Sequence, residues 1–85
     1  MQFQAKINVT LKDSVLDPQG KVVTHALHAL HYDSVSDVRI GKYMEVRLQA
    51  ETVTQAQTLV EGMCEQLLTN PVIEKYTYDL LEVVS

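Results

Sequence analysis

The sequence predicts an α+β fold with the element order βαββαβ. Three observations lead to this prediction. The first segment alternates apolar and polar residues, two later segments repeat apolar residues at helical spacing, and the chain returns to strand-like patterns after each of them. A period of two is typical of a strand with one buried face, and steps of three and four are typical of a helix. We therefore expect a four-stranded antiparallel sheet with both helices on one face.

The first strand and the first helix have the clearest local signals. The strand alternates polar residues with apolar Phe3, Ala5, Ile7, Val9 and Leu11. Asp17 and Pro18 then open a helix, because an Asp side chain accepts hydrogen bonds from free first-turn amides and proline is tolerated at the first helical position. The helix carries one apolar stripe and should end near His31; the stripe consists of Val23, Ala26, Leu27 and Leu30.

Residues 35–50 return to a period of two, and Gly41 interrupts them. A two-residue turn at Gly41 would place Glu45 and Arg47 on the buried face. A three-residue loop at 41–43 instead pairs Ile40 with Met44 and keeps the apolar side chains inside, so we prefer a hairpin with this loop. A single long strand that bends at Gly41 preserves the same parity and remains an alternative.

The second helix should begin at Thr52 or Thr54 and end at Asn70–Pro71, before a last strand over about 73–83. Its core stripe comprises Ala56, Leu59, Val60, Met63, Cys64, Leu67 and Leu68. The complete order is that of a ferredoxin-like fold. In so small a protein, the exposed sheet face or the edge of the last strand is the natural place for a partner, and Tyr76 and Tyr78 share a face that could anchor an interface.

Composition excludes several classes of function. The chain has 85 residues, and we expect one domain over 1–85. A net charge of −4 with scattered cations argues against nucleic-acid binding. Cys64 is the only cysteine, so a reducing compartment is expected. Because the sequence has neither a signal-peptide pattern nor a membrane-length apolar run, we expect a soluble cytoplasmic protein without a membrane partner.

No motif predicts catalysis. Gln19–Gly20–Lys21 at a helix start is reminiscent of a phosphate loop, but Val15 and Val22 stand where that motif requires Gly and Ser or Thr. The three histidines, at 25, 28 and 31, lack the fourth ligand that structural zinc requires. Cys64 lies on an apolar stripe, and no two acids share a cleft. We therefore expect no catalytic, cofactor-binding or metal-binding residue in this chain.

Two segments together resemble the PurS family, the small subunit of phosphoribosylformylglycinamidine (FGAM) synthase. They are Asp-Pro-Gln-Gly-Lys at 17–21 and Val-Arg-Ile-Gly-Lys-Tyr at 38–43, and the resemblance continues through 63–65 and 68–76. The sequence departs from the family pattern at His31, where the family usually has Gly. Glycine is common at helix ends because it tolerates a left-handed backbone.

The resemblance implies a non-catalytic subunit of the enzyme that makes FGAM from formylglycinamide ribonucleotide, glutamine and ATP. Such a subunit forms a homodimer or tetramer and bridges a large synthetase subunit (PurL), which uses ATP and magnesium, and a glutaminase subunit (PurQ). It supports ammonia transfer between them. The expected partner contacts lie at the first helix start and near the Gly41 loop, and their expected exposure supports this choice: Asp17, Gln19, Gly20, Lys21, Arg39, Lys42 and Tyr43.

The alternative is a ferredoxin-like regulatory domain that binds a small metabolite at a dimer interface. Modules of that class share the βαββαβ order, and a fold by itself does not identify a function.

Overall fold

The structure is a computed structural model and describes residues 1–84. Three strands form one antiparallel sheet in the order β2-β1-β3. The elements are β1 (Gln2–Leu11), α1 (Pro18–Ala29), β2 (Gly41–Gln49), α2 (Val53–Met63), which continues into a π-helical turn (Cys64–Leu68), and β3 (Glu74–Val83). The α+β class is therefore confirmed, with three strands and two helices.

The core lies between the central strand and α2. The alternating apolar side chains of β1 are buried at Phe3, Ala5, Ile7 and Val9. From α2 and the π-helical turn, buried Ala56, Val60 and Cys64 complete the core, and inward-facing residues of β2 and β3 pack around it. The register places apolar and aromatic side chains of all three strands on the same face of the sheet, because Ile7 lies opposite Met44 on β2 and Tyr78 on β3. We call the sheet, α2 and the π-helical turn the body.

The fourth strand and the hairpin loop at 41–43 were wrong, and so was the prediction that both helices cover one face. Gly41 is the first residue of β2, opposite Thr10, and the pairing of β1 with β2 ends there. Residues 35–40 run past that point, so among residues 1–84 no strand lies beside them. Alternation shows that a segment can form a strand, but a strand also needs a neighbour to pair with. The alternative of one long strand was nearer, although only its second half is paired.

Helix α1 leaves the sheet instead of covering it. Gly20 is its only buried residue, and no α1 side chain belongs to the core. The predicted stripe is present, but Leu30 is 66% exposed. The radius of gyration is 16.6 Å, against about 12 Å for a compact chain of this length. We call α1 and the segment that returns from it, residues 18–40, the arm.

Both helix starts were predicted correctly. The side chain of Asp17 accepts a hydrogen bond from the Gly20 amide with Pro18 in the first turn, and Thr52 is the N-cap of α2. Helix α1 ends at Ala29, two residues before His31, whose φ of 74° is the only positive value outside glycine in residues 1–84. His31 therefore holds the left-handed conformation that glycine would adopt without strain.

The end of α2 differs from the regular helix that was expected. The π-helical turn places Cys64 in the core, whereas Leu67, predicted to be a core residue, is 82% exposed. The Thr69 hydroxyl and amide both donate to the Cys64 carbonyl, at 2.7 and 2.9 Å, and terminate the turn. A π turn has more residues per turn than an α-helix, so the three- and four-residue spacing no longer predicts which side chain faces the sheet.

Candidate interaction site

The arm joins the body beside a cleft of about 340 Å³. The cleft lies between the start of α1, the end of β1 and the start of β2. It is lined by Val9, Thr10, Leu11, Asp17, Pro18, Gln19, Ile40, Gly41, Lys42 and Glu74. Both segments that resemble the PurS family contribute to it, so the fold brings together two stretches about twenty residues apart in sequence.

Asp17 connects the two sides of the arm. One carboxylate oxygen accepts from the Gly20 amide at 2.9 Å, and the other accepts from the Ile40 amide at 2.7 Å. These backbone hydrogen bonds, first that of Gly20 and then that of Ile40, hold the pKa of the Asp17 carboxyl below its ordinary value. Asp17 is only 4% exposed. It therefore caps α1 and also ties the helix start to the segment that returns to the sheet.

Arg39 makes the second connection. Its Nη2 donates to the backbone carbonyls of Lys12 at 2.8 Å, Val15 at 3.1 Å and Leu11 at 3.3 Å. A single guanidinium group thus donates to the last carbonyl of β1 and to two carbonyls of the loop between β1 and α1. Arg39 therefore attaches the returning segment to the loop that enters the arm.

Gly20 makes the third connection through its lack of a side chain. A Cβ at this position would collide with the backbone carbonyl oxygen of Val38 and would approach a carboxylate oxygen of Asp17 to 2.9 Å. Neither the buried capping side chain nor the backbone carbonyl can move aside easily, so this close approach of helix and returning segment requires glycine. We call Asp17, Gly20 and Arg39 the junction.

The seven predicted contact residues therefore divide into two groups. The premise that all are exposed is wrong for the three junction residues, since Asp17 and Gly20 are buried and Arg39 is half-buried. The other four are exposed: Gln19, Lys21, Lys42 and Tyr43. Their role in partner contacts stays a prediction.

The exposed residues do not form one patch. Gln19 and Lys42 both line the cleft, and Lys21 lies on α1 beside Val22 and His25. Tyr43 follows Lys42 on β2 and projects from the opposite face of the sheet, where its hydroxyl donates to Glu45 at 2.9 Å.

Sequence reasoning missed Glu74 as a residue of the cleft. Its carboxylate lies 3.8 Å from the Lys42 ammonium group, and its side chain is 17% exposed. At the same end of the sheet, Lys75 pairs with Asp13 at 2.9 Å. A sequence signal was present, because Glu74 lies within the last segment that resembles the family, 68–76. Only the folded sheet places Glu74 beside Lys42 of the second segment.

Cys64 and the tyrosines of β3 lie in or against the core. Burial is the main cause that raises the pKa of the Cys64 thiol, which disfavours the nucleophilic thiolate. The Tyr78 hydroxyl donates to Glu61 at 2.7 Å, and this bond raises the Tyr78 pKa to about 12. Tyr76 and Tyr78 are stacked, half-buried rings against the core. Within residues 1–84, no three His, Cys, Asp or Glu side chains are grouped as metal ligands would be.

Comparison with known proteins identifies the family. The family model described as "PurS: Phosphoribosylformylglycinamidine (FGAM) synthase" matches residues 4–82. The chain belongs to the PurS family. The PurS subunit of FGAM synthase from Bacillus subtilis is 52% identical over 83 residues, which are 98% of each chain. No helix in the described part of the chain has the length and hydropathy that a bilayer crossing requires.

Solved structures agree with this assignment. Thermus thermophilus PurS is 36% identical, with a TM-score of 0.84 over 99% of this chain and 100% of that one. A chain in the structure of PurLQS from Thermotoga maritima is 32% identical, with a TM-score of 0.86 over 95% of this chain and 99% of that one. The chain is therefore a PurS subunit of FGAM synthase, an enzyme of purine biosynthesis, and the alternative of a metabolite-binding regulatory domain is not favoured.

Proposed function

We propose that this chain is a non-catalytic subunit that joins the synthetase subunit PurL and the glutaminase subunit PurQ in one cytoplasmic complex. In that complex it supports the transfer of ammonia from glutamine to formylglycinamide ribonucleotide. The observation that carries the proposal is the family match over residues 4–82, together with the likeness to a chain of the Thermotoga maritima PurLQS structure. Self-association as a homodimer is part of the proposal.

The chemistry of the chain supports a role without catalysis. The single thiol is buried and its pKa is raised, while the Asp17 carboxylate is already engaged by two backbone amides. Glutamine hydrolysis needs an activated nucleophile, and amidine formation needs bound ATP. We assign both requirements to the partners: the nucleophile to PurQ, and ATP with magnesium to PurL. This chain contributes a surface and no cofactor.

The reconstituted reaction tests the proposal. FGAM formation is measured with separate PurL and PurQ subunits, with and without this chain, and with either glutamine or free ammonia as nitrogen donor. We expect glutamine-dependent turnover to require the chain and ammonia-dependent turnover to persist without it. If neither reaction responds to the chain, the proposed coupling role is wrong.

Charge reversal at the cleft tests where the partners bind. Lys42→Glu should weaken complex formation, since Lys42 is exposed beside Gln19 in the cleft, and should leave the isolated fold intact. Lys75→Glu is the matched control. The Lys42 and Lys75 side chains are 56% and 54% exposed, and each pairs with one carboxylate at the same end of the sheet. Equal complex yields for both variants on gel filtration would exclude the cleft as the specific contact surface.

A further inference from the structure

We propose that the turn before β3, residues 70–73, is a docking element whose Val72 side chain enters an apolar pocket of a partner subunit of the synthase. We call these residues the β3 turn. The inference rests on the proposed function and extends the contact surface beyond the cleft. It also states the chemistry of the partner, which offers a pocket with an apolar centre and with oxygen acceptors on its rim, opposite the Lys42 ammonium group.

The first observation is a run of exposed apolar residues in the β3 turn. Pro71, Val72 and Ile73 follow one another and all three are exposed, Val72 by 78% and Ile73 by 40%. Neither Val72 nor Ile73 belongs to the core or packs against it. Turns are ordinarily built from small and polar residues, and three consecutive exposed apolar residues are unfavourable unless they have a function. The fold therefore does not account for these side chains.

The second observation is that hydrogen bonds hold the β3 turn in one conformation. The Asn70 carbonyl accepts from the amides of Ile73 at 3.1 Å and Glu74 at 2.7 Å. The Asn70 side chain accepts from the Val72 amide at 3.1 Å, and the Glu74 carboxylate accepts from the Asn70 amide at 2.7 Å. The Lys12 amide donates to the Ile73 carbonyl at 2.8 Å and attaches the turn to the end of β1. Because the turn is already ordered, its apolar side chain loses little conformational entropy when it binds.

The third observation is the position of the β3 turn at the cleft. Glu74, the residue after the turn, lines the cleft and lies opposite Leu11 at the end of β1. The Glu74 oxygen that faces Lys42 is 3.8 Å from the ammonium group, which is longer than a hydrogen bond. The ammonium group therefore keeps donors for an acceptor outside the chain. An apolar anchor beside polar groups with free capacity is the arrangement of an interface centre and its rim.

The charges favour a partner subunit over a second copy of the chain. The Lys42 side chain is 56% exposed, so two equal surfaces that faced each other would bring ammonium groups together. A different protein can place carboxylate or carbonyl oxygens there instead. We assign the pocket to a subunit of the synthase, because the cleft beside the turn is the proposed contact surface for those subunits.

The test compares two Val→Glu variants in the reconstituted synthase. Val72→Glu changes the turn, and Val53→Glu is the matched control, since Val53 is 48% exposed at the start of α2, beyond the opposite end of β2. The chain is titrated into fixed PurL and PurQ, and glutamine-dependent FGAM formation is measured. We expect the half-maximal concentration of the chain to rise by about 30-fold or more for Val72→Glu, because a carboxylate would be buried in an apolar pocket. The rate at saturation should be unchanged.

The control should titrate as the wild-type chain does. Circular dichroism and thermal unfolding check the fold of each variant. Val72→Thr, which keeps the branched shape and adds only a hydroxyl group, should give a smaller rise in the same direction. Equal half-maximal concentrations for the wild-type chain, Val72→Glu and Val72→Thr would overturn the proposal, and so would an equal rise for Val53→Glu.

Photocrosslinking shows which protein covers the turn. A benzophenone amino acid replaces Val72 in one variant and Val53 in the other, and each is irradiated in the reconstituted complex. A crosslink from position 72 to PurL or PurQ, absent at position 53, would support the proposal and identify the subunit. A crosslink from position 72 only to a second copy of the chain would overturn it.

These outcomes are separate from those of the proposed function. If the wild-type chain restores glutamine-dependent turnover and Val72→Glu titrates identically, only the docking role of the β3 turn is wrong. If the wild-type chain has no effect on turnover, the proposed function itself is wrong and the docking role with it.

Discussion

The body and the arm are built from similar residues but differ in what stabilises them. In the body, β1 and α2 bury their apolar side chains against each other, and Ile7 and Val60 have no exposed surface. In the arm, an equally apolar helix buries only a glycine and is attached through the junction. The same type of helical pattern thus leads to a packed helix in one region and a projecting helix in the other.

The difference shows that an amphipathic pattern does not specify which surface the apolar face will cover. Helix stability in proteins comes mainly from tertiary packing. Since α1 lacks that packing within its chain, its direction depends on a few polar contacts at one end. We expect the arm to unfold locally more easily than the body.

Truncation in each region should produce the largest contrast. Ile7→Ala should lower the free energy of unfolding by about 2–5 kcal/mol, because it leaves a cavity in the core. Leu30→Ala in the arm should change it by no more than about 0.5 kcal/mol at concentrations where the chain is monomeric. Urea unfolding measures both values. A Leu30 cost that equals the Ile7 cost in the monomer would contradict the distinction between arm and body.

Substitution at the junction should affect the arm more than the body. Gly20→Ala forces a Cβ against the Val38 carbonyl and should cost about 1–3 kcal/mol. Hydrogen exchange should show lost protection in α1 while β1 amides stay protected. The control is Gly62→Ala, where a Cβ would meet nothing within 4 Å and should stabilise α2 by up to about 1 kcal/mol. Protection of α1 that is unchanged in Gly20→Ala would show that the junction does not hold the arm.

Replacement of His31 should stabilise the arm. His31→Gly removes the strain of a side chain at a φ of 74° and should raise stability by about 1 kcal/mol. The same replacement at exposed His25, within α1, should lower stability by about 0.3–0.5 kcal/mol, because glycine is less favourable than histidine inside a helix. Thermal unfolding measures both signs. A lower melting temperature for His31→Gly would show that the side chain makes a net favourable contribution.

Acid should loosen the arm at the Asp17 cap, and this is the smallest of the expected effects. Because folding lowers the Asp17 pKa from its ordinary value of 3.8, the stabilisation is complete above that value. It is lost as pH falls through the lower, folded-state pKa. The amide chemical shifts of Gly20 and Ile40 should follow this titration. They should not follow it in Asp17→Asn, while Asp33→Asn serves as the exposed control. Shifts that titrate equally in Asp17→Asn would assign the effect to another group.

Most of the secondary structure was predictable because its signals are local. The period of β1, the cap at Asp17 and the cap at Thr52 each act through residues within a few positions. The departure from the family pattern at His31 was likewise visible in the sequence, at the end of the helix where glycine is common. At the site, the two resembling segments were identified correctly as a pair, and the exposure of Lys42 and Tyr43 agrees with the prediction.

Other predictions failed where a distant element decides the outcome. Arg39 was expected on an exposed surface, but it donates to three carbonyls at the end of β1 and in the following loop, more than twenty residues earlier. Leu67 was placed in the core by its spacing, but the π-helical turn rotates it outward. Neither the distant acceptors nor the wider turn leaves a local pattern that could be recognised.

By itself, the sequence determined where α1 and α2 begin, that the segment before α1 forms a strand, and which face of that strand is buried. Only the tertiary structure decided that residues 35–40 remain unpaired and that α1 projects from the sheet. The physical reason is that propensity, capping and alternation act between near neighbours. Pairing and burial also require a partner surface at the right place, and β1 ends at Leu11, before it could supply one.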